Sequence, residues 1–550
     1  MAERFERNAR TMSLLTIVSR VTGLVRDAGL ARAFGVGPLM DAFSFAFMIP
    51  NLFRRLFGEG ALSAAFVPRY AELVRDDPEA ARRFAGRTLR SLAILLWGLV
   101  VVGELALLAL WLDAPAVEVT TSAPICVAGL PLQPVSLRYT RLAYELAMLM
   151  LPYMPFVCLV ALGGGALQTH GRFGPTAASP ILLNLLLIAA TLGLVPLAAS
   201  GSIDPVAHVR IVACAVLVAG ALQLAWTMRA LRPYRPDFTA RDPASREDVR
   251  GTVRAAGPMM LGLGVLQLNT FVDGLIASWP TVVGPTIFGF AYPLAEGAMS
   301  ALANAQRIYE FPLGVFGISI ATAVFPLLAT QNADPAAFVG TVRRALRMTL
   351  FVGLPASLGL MLVGREAIAT ILQGGEFGPD DTDRVAWILA GYAPAIWSYQ
   401  SVHVLARAFY ARRETMTPVR ISLAMVALNF ALNIALIFTP LREAGLAWST
   451  AICSVLQAAI MLAVLSRRTG RVIDAETVGG FARTVLATAA MGVAVAALGH
   501  ALPADRDWAT MALRLAALVS AGGVAYLGAA RLLAMPELGW TVGRRLGGRR

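Results

Sequence analysis

Pro50-Asn-Leu-Phe-Arg-Arg-Leu-Phe-Gly-Glu-Gly-Ala-Leu-Ser-Ala-Ala-Phe-Val-Pro68 sets two adjacent arginines and a glutamate into a stretch that is otherwise apolar enough to enter a bilayer. An arginine at the centre of a membrane span costs roughly 2.5–3.5 kcal/mol on insertion scales, so such a pair demands a wet cavity, an anion or an ion partner. Pro50 and the Gly58/Gly60 pair predict a bent helix, with Arg54, Arg55 and Glu59 just past the bend. Upstream, Ser19-Arg-Val-Thr-Gly-Leu-Val-Arg-Asp27 repeats the theme. Arg20, Gly23 and Asp27 follow a three-to-four spacing and share one helical face, with Arg26 beside it and Asp41 further on. Two readings stand side by side. One is an internal ion-pair network, such as Arg26 with Asp41 or Arg54 with Glu59. The other is a cationic cavity, because arginines outnumber acids here and guanidinium suits bidentate capture of phosphate or carboxylate.

The composition around these segments is that of a membrane protein. Of 550 residues 57% are apolar and only 15% charged, whereas soluble domains run near a quarter charged. About 20 apolar residues make a span. On that measure spans fall at 11–33, 39–68, 91–112, 144–169, 175–198, 211–228 and 255–278. Seven more fall at 298–328, 348–373, 385–406, 421–439, 444–466, 484–502 and 510–534, giving fourteen. The first ten residues carry three arginines without a cleavage-site pattern and read as a juxtamembrane segment rather than a signal peptide. The four cysteines, Cys126, Cys158, Cys214 and Cys453, lie too far apart for a metal motif or a disulfide framework.

All 47 basic residues are arginine, and against 34 acids they leave a net charge of +13. Their placement excludes a nucleic-acid partner. With a cytoplasmic N-terminus, 33 arginines fall on inside segments, six on outside loops (Arg138, Arg141, Arg210, Arg384, Arg442, Arg506) and eight within spans. That asymmetry places both termini in the cytoplasm. Arg32, Arg365 and Arg514 lie near span ends, where they would snorkel to the interface. Arg20, Arg26, Arg54, Arg55 and Arg307 lie deeper.

Arg307 belongs to a second charged patch, Asn304-Ala-Gln-Arg-Ile-Tyr-Glu-Phe-Pro-Leu-Gly-Val-Phe-Gly317, with Glu310 three residues on and Pro312 able to bend the helix. Ala65-Phe-Val-Pro68 echoes Val324-Phe-Pro326, and Gly171-Arg-Phe-Gly-Pro-Thr176 echoes Arg412-Arg-Glu-Thr-Met-Thr-Pro418, at offsets of 258 and 243 residues. Six spans per repeat keep equivalent helices in the same orientation, which is a parallel-repeat transporter architecture with its cavity at the repeat interface.

Ser19–Asp27, Ala31–Gly35, the Asp41 segment, Pro50–Pro68, Arg307–Gly317 and Phe409–Arg412 with Thr417-Pro418 resemble the bacterial lipid II flippase family of the MurJ/MviN type, in order from residue 11 to about 466. The resemblance implies an all-α polytopic fold of the multidrug/oligosaccharidyl-lipid/polysaccharide exporter superfamily. It divides the chain into an N-terminal lobe at 1–232, a C-terminal lobe at 233–468 and two additional helices with a basic tail at 469–550. The two lobes would form a V around a cationic cavity, and the additional helices a hydrophobic groove. It further implies residence in the bacterial inner membrane, a monomer working among membrane lipids, and contact with the cell-wall synthesis machinery.

By the same resemblance Arg20, Arg26, Arg54 and Arg307 are cavity arginines accompanied by Asp27, Asp41 and Glu59, with Arg55 and Glu310 beside them. The cargo would be lipid II, whose pyrophosphate the arginines neutralise while its polyprenyl tail stays in lipid. Gln306 stands where relatives often carry an acid. Some members bind sodium, and their ligand positions fit Asp273, Asn429, Asn433 and Thr450; the alternative is a buried aspartate hydrogen-bonded for packing. Gly274 stands where relatives often have arginine. No other cofactor is expected. Two outer segments, 113–143 and 279–297, are unusual for the family, the second reading as a re-entrant or interfacial connection.

Three other readings compete. An exporter of another polyprenyl-linked glycan shares every feature above, whereas a drug-cation antiporter would want an acidic cavity. A polyprenyl-lipid enzyme would need carboxylates or histidines in a catalytic arrangement, and His170, His208, His403 and His500 are scattered.

Overall fold

The computed structural model describes residues 2–58, 61–114, 126–127, 130–131, 138–313, 318–331, 334–503 and 507–541. They form two compact units, one of Met1–Ser300 with Gly374–Phe377 and one of Ala301–Gln373 with Gly378–Arg550.

The first unit carries α1 (Ala2–Phe34), α2 (Pro38–Phe53), α3 (Ala61–Asp76), α4 (Pro78–Asp113), α5 (Arg138–Met150), α6 (Tyr153–Thr169) and α7 (Gly174–Leu192). It continues through α8 (Val195–Ala199), α9 (Pro205–Leu231) and the long α10 (Pro243–Val282). The two-residue strands β1 (Cys126–Val127) and β2 (Leu130–Pro131) pair, as do β3 (Thr286–Ile287) and β4 (Phe290–Ala291). Then α11 (Ala298–Pro312) leads into the second unit, which holds α12 (Ile318–Thr330), α13 (Pro335–Leu372), α14 (Pro379–Tyr392), α15 (Ala395–Ala411) and α16 (Met416–Ile437). The chain ends with α17 (Ala444–Thr469), α18 (Ala475–Ala501), α19 (Trp508–Leu532) and the short α20 (Pro536–Thr541). The protein is thus an all-α polytopic membrane protein. Among the described residues nine helical stretches are long and apolar enough to cross a membrane.

The local sequence dictates where helices begin. Asp-Pro pairs open α4, α9, α10 and α13, and in each the aspartate side chain (Asp77, Asp204, Asp242, Asp334) accepts a first-turn backbone N–H. Such a cap contributes about 0.5–2 kcal/mol, and the proline's missing N–H is no loss at that position. The apolar run read as one span at 144–169 breaks at Pro152 between α5 and α6, and the one at 385–406 breaks at Pro394 between α14 and α15. The offset is 242 residues, and the same offset relates the ends of α6 and α15 and the starts of α7 and α16. The repeat that the sequence showed in a few motifs therefore extends to the helix boundaries.

The expected bend after Pro50 takes a specific form. Helix α2 stops at Phe53, a π-helical turn runs from Arg54 to Gly58, and α3 resumes at Ala61. The run at 298–328 is likewise divided into α11 and α12. The core of the first unit gathers Phe43, Phe66, Phe84, Leu96, Met150 and Tyr153. In the second unit one cluster joins α13, α15 and α17 through Phe338, Leu405 and Met461, and another joins α13 to α18 and α19 through Phe351, Met491 and Tyr526. Segment 279–297 finishes α10 and then turns back as the β3–β4 hairpin. Of segment 113–143, only Asp113, Ala114, the two short strands and the residues from Arg138 onward lie within the described residues. There the Arg141 guanidinium donates to the Ala114 carbonyl at 3.0 Å and lies 5.1 Å from the Trp111 ring.

Candidate functional site

In the first unit α1 packs on α7, and the candidate cationic residues of α1 divide into two environments. Arg20 is exposed, on a face it shares with the exposed apolar side chains Leu14, Ile17, Val21 and Leu24. Arg26 is largely enclosed, its side chain only 11% exposed. Its Nε and Nη2 donate to Asp27 Oδ1 at 2.8 and 2.6 Å, and its Nη1 donates to Asn184 Oδ1 at 2.9 Å. The Asn184 Nδ2 in turn donates to the Ser19 carbonyl at 3.1 Å and to Thr22 Oγ1 at 3.0 Å. One amide of α7 therefore holds both the backbone of α1 and its inner arginine. Sequence reading missed Asn184 as a site residue; the available signal was an amide inside the apolar run that the repeat echo had already marked.

Arg54 and Arg55 occupy the first two positions of the π-helical turn. An added residue in one turn rotates the following side chains out of α-helical register, and such turns recur at functional sites. Arg54 Nε donates to Asn51 Oδ1 at 3.0 Å, and Arg55 Nη1 to Gln267 Oε1 on α10 at 3.1 Å. Glu59 lies outside the described residues.

Asp41 pairs elsewhere than with Arg26. It is fully buried, and its carboxylate accepts from Thr281 Oγ1 at 3.0 Å, Gly297 N at 2.6 Å and Ser300 N at 2.7 Å. These donors close the end of α10 and open α11, so the charge sits where the first-turn N–H groups and the helix dipole favour an anion. Asp41 is in this way a positioning group that fastens α2 to the start of α11.

In the second unit Arg307 is exposed and its Nη1 lies 3.9 Å from Glu310 Oε2, a loose pair. Gln306 donates to the Tyr392 hydroxyl at 3.0 Å, and Tyr309 stacks on the Tyr392 ring at 4.7 Å. The amide at 306 is thus matched to a neutral partner.

The residues of the sodium expectation are distributed over both units. Asn429, Asn433 and Thr450 belong to the second, buried between α16 and α17. Asn433 Nδ2 donates to Asn429 Oδ1 at 3.0 Å, Asn429 Nδ2 donates to Ser449 Oγ at 3.2 Å and Thr450 Oγ1 at 3.4 Å, and Ser449 donates to Asn433 Oδ1. These neutral amide and hydroxyl oxygens suit a hard cation in kind, and their own hydrogen bonds already connect them. Asp273 belongs to the first unit, 2% exposed, with Asn269 Nδ2 at 3.5 Å from its Oδ2. Beside it, a Cβ on Gly274 would come within 2.3 Å of Met48 Sδ. The missing side chain lets the Met48 thioether of α2 lie against α10, and any side chain at 274 would require Met48 to shift. Among the described residues, no group of three or more His, Cys, Asp or Glu side chains is placed to hold a metal ion.

Two span-end arginines do more than reach toward an interface. Arg514 donates to the Gly499 and Leu502 carbonyls at 2.9 and 2.6 Å and so caps α18, while Arg365 pairs with Asp383 at 2.6 Å. Among the histidines, His208 lies 3.1 Å from the Thr191 carbonyl and His170 stacks on Tyr234 with centroids 3.7 Å apart.

A family model described as "Lipid II flippase MurJ" matches residues 30–519. A Vibrio cholerae protein named "Probable lipid II flippase MurJ" is 30% identical over 541 residues, 97% of each chain. A Rhizobium tropici protein of the same name is 32% identical over 495 residues, covering 89% of this chain and 86% of that one. Among solved structures, one described as "Lipid II flippase MurJ, inward closed conformation" superposes with a TM-score of 0.73 at 22% identity, covering 95% of this chain and 98% of that one. One described as "Inward-facing conformation of a multidrug resistance MATE family transporter of the MOP superfamily" superposes with a TM-score of 0.62 at 14% identity, covering 84% of this chain and 98% of that one. At those identities the two structures speak for the fold.

Proposed function

The chain belongs to the lipid II flippase family, and from that membership we propose that it moves lipid-linked peptidoglycan precursor from the inner to the outer leaflet of the bacterial inner membrane. The observation that carries this reading is the exposed face of α1, where Arg20 stands among Leu14, Ile17, Val21 and Leu24. A guanidinium set in exposed hydrocarbon suits a cargo that joins a pyrophosphate to a long polyprenyl chain. Arg26, Arg54, Arg55 and Arg307 supply further positive charge, with Asp27, Glu59 and Glu310 limiting its excess. Asn184 and the π-helical turn fix where three of these guanidiniums sit.

The transport step needs no covalent chemistry. The arginines draw the head group in from the cytoplasmic leaflet, and alternation between the lobes at 1–232 and 233–468 presents it to the other side, while the helices at 469–550 guide the tail. Both termini are cytoplasmic, the working form is a monomer, and the cell-wall synthesis machinery receives the cargo. A sodium ion held on the oxygens of Asn429, Asn433 and Thr450 would couple transport to the ion gradient.

The test is transport by purified protein in liposomes containing lipid II. Expected is translocation of intact lipid II that falls at least tenfold in Arg26→Ala, with unchanged protein incorporation. Preferential movement of a different polyprenyl-linked glycan would favour the wider exporter reading, and release of a cleaved head group would favour an enzyme. Sodium-dependent protection against unfolding that disappears in Asn433→Ala tests the ion separately.

A further inference from the structure

The β3–β4 hairpin directly follows the long helix α10. Its register pairs Thr286 with Ala291 and Ile287 with Phe290, leaving Phe288 and Gly289 as a two-residue turn. Both turn residues have positive φ, +50° and +82°. That is the geometry of the primed turns which match strand twist, and they favour Asn-Gly. A bulky residue there is a genuine conformational outlier. Phe288 nevertheless occupies it, with 95% of its surface exposed, next to Phe290 at 71% and not far from Val283 at 51%.

The base of the hairpin, by contrast, is fastened. Tyr292 is buried and donates from its hydroxyl to the Ile276 carbonyl at 2.8 Å; Trp279 stacks on it at 5.7 Å and donates from Nε1 to the Thr286 carbonyl at 3.2 Å. A strained aromatic held on a fixed base, its tip exposed among the described residues, is placed to meet something else. The sequence says what. From Gly274 to Ala295 there is no charged residue at all, whereas the loop at 235–242, which also exposes a phenylalanine (Phe238), carries Arg235, Asp237, Arg241 and Asp242. An uncharged, aromatic tip, following in sequence on the exposed Leu275 of α10 and Val283 just past its end, makes an apolar surface of the kind that meets a bilayer rather than water.

We propose that Phe288 and Phe290 form a membrane-interface anchor, inserting at the headgroup–acyl boundary and fixing the depth of the α10 terminus and the α11 start that Asp41 holds. This stands independently of which lipid the protein transports. The partner is the bilayer itself, in preference to a second copy or an aqueous protein.

The test places a nitroxide at position 288, through Phe288→Cys, in a background lacking Cys126, Cys158, Cys214 and Cys453 that still reconstitutes. Accessibility is read in vesicles of phosphatidylethanolamine and phosphatidylglycerol. Expected is greater collision with oxygen than with a water-soluble nickel chelate, and the reverse for a label at Phe238. A label at 288 as aqueous as that at 238 overturns the proposal, as does one shielded from both reagents, which would indicate a protein contact. A second arm uses Phe288→Asn with Phe290→Ser, which keeps the turn chemistry favourable and the fold intact. A label at Val283 in that variant is expected to become more accessible to the chelate, and an unchanged reading there would also overturn the anchor.

Discussion

Arg26 on α1 is held by Asn184 on α7 through an Nη1–Oδ1 hydrogen bond of 2.9 Å, and the same amide binds Thr22 and the Ser19 carbonyl from its nitrogen. Asn184 is buried, and its partners Arg26 and Thr22 are partly so. Asn184→Leu deletes the acceptor for a charged donor, worth about 1.5–3 kcal/mol, or roughly ten- to hundredfold if the bond serves transport. Asn184→Asp keeps the acceptor and should retain most activity. Lipid II transport in liposomes, normalised to incorporated protein, checks both. Equal activity of the Leu variant and the native chain would remove Asn184 from the site.

Asp41 leads to a different expectation, in stability before transport. Its carboxylate accepts from Thr281, Gly297 and Ser300. Asp41→Asn turns a donor group toward backbone N–H groups that have no other role there, and each lost charged hydrogen bond costs about 1.5–3 kcal/mol. Thermal unfolding in detergent should fall markedly for Asp41→Asn and further for Asp41→Ala, while Arg20→Ala, at an exposed position, leaves Tm within error. A native Tm for Asp41→Asn would return Asp41 to the list of cargo contacts.

How much of this was legible beforehand follows from what kind of quantity each feature is. Membrane character and the repeat are sums over local residues, so apolar runs, arginine placement and the paired motifs near Pro68/Pro326 and Pro175/Pro418 announce them. Arg26 and Arg54 stood out for the same reason, as charges where charge is expensive. Hydrogen-bond partners are not local sums. Asn184 lies 158 residues from Arg26, and only the rotation of α7 against α1 brings them together. Asp41 looked like a cavity charge because sequence gives its depth but not which face of α2 it occupies. The π-helical turn at Arg54 depends on how α2 enters α3, and the hairpin at 286–291 on a turn that few sequences with Phe-Gly would adopt.

Asp474 gives a pH dependence with a definite sign. It caps α18, accepting from the Thr477 hydroxyl at 2.6 Å and the Thr477 backbone N–H at 2.8 Å, with Arg343 Nη1 at 2.7 Å. The Thr477 hydroxyl, then its backbone N–H, and to a lesser degree Arg343, hold the carboxyl below its ordinary value. A lowered native pKa means the stabilisation is complete above the unfolded value, about 3.9, and is lost as pH falls through the native one. The Tm difference between the native chain and Asp474→Asn should therefore be constant near neutrality and shrink under acid. A difference that grows on acidification would contradict the assignment.

Tyr526 on α19 resolves a defect that α13 creates for itself. Pro355 lies inside α13 and has no N–H to give the carbonyl of Phe351, four residues earlier. The Tyr526 hydroxyl donates to that carbonyl at 2.5 Å, in the apolar cluster that joins α13 to α18 and α19. Buried away from water, an orphaned carbonyl costs about 1–3 kcal/mol. Tyr526→Phe should lower stability by roughly that amount. Pro355→Ala would restore an N–H to the helix ladder and make the tyrosine's proton redundant. A double-mutant cycle on thermal or denaturant unfolding thus predicts strong coupling, with the cost of Tyr526→Phe much smaller in the Pro355→Ala background. Additive effects would show that the hydroxyl serves something other than the carbonyl the proline leaves open.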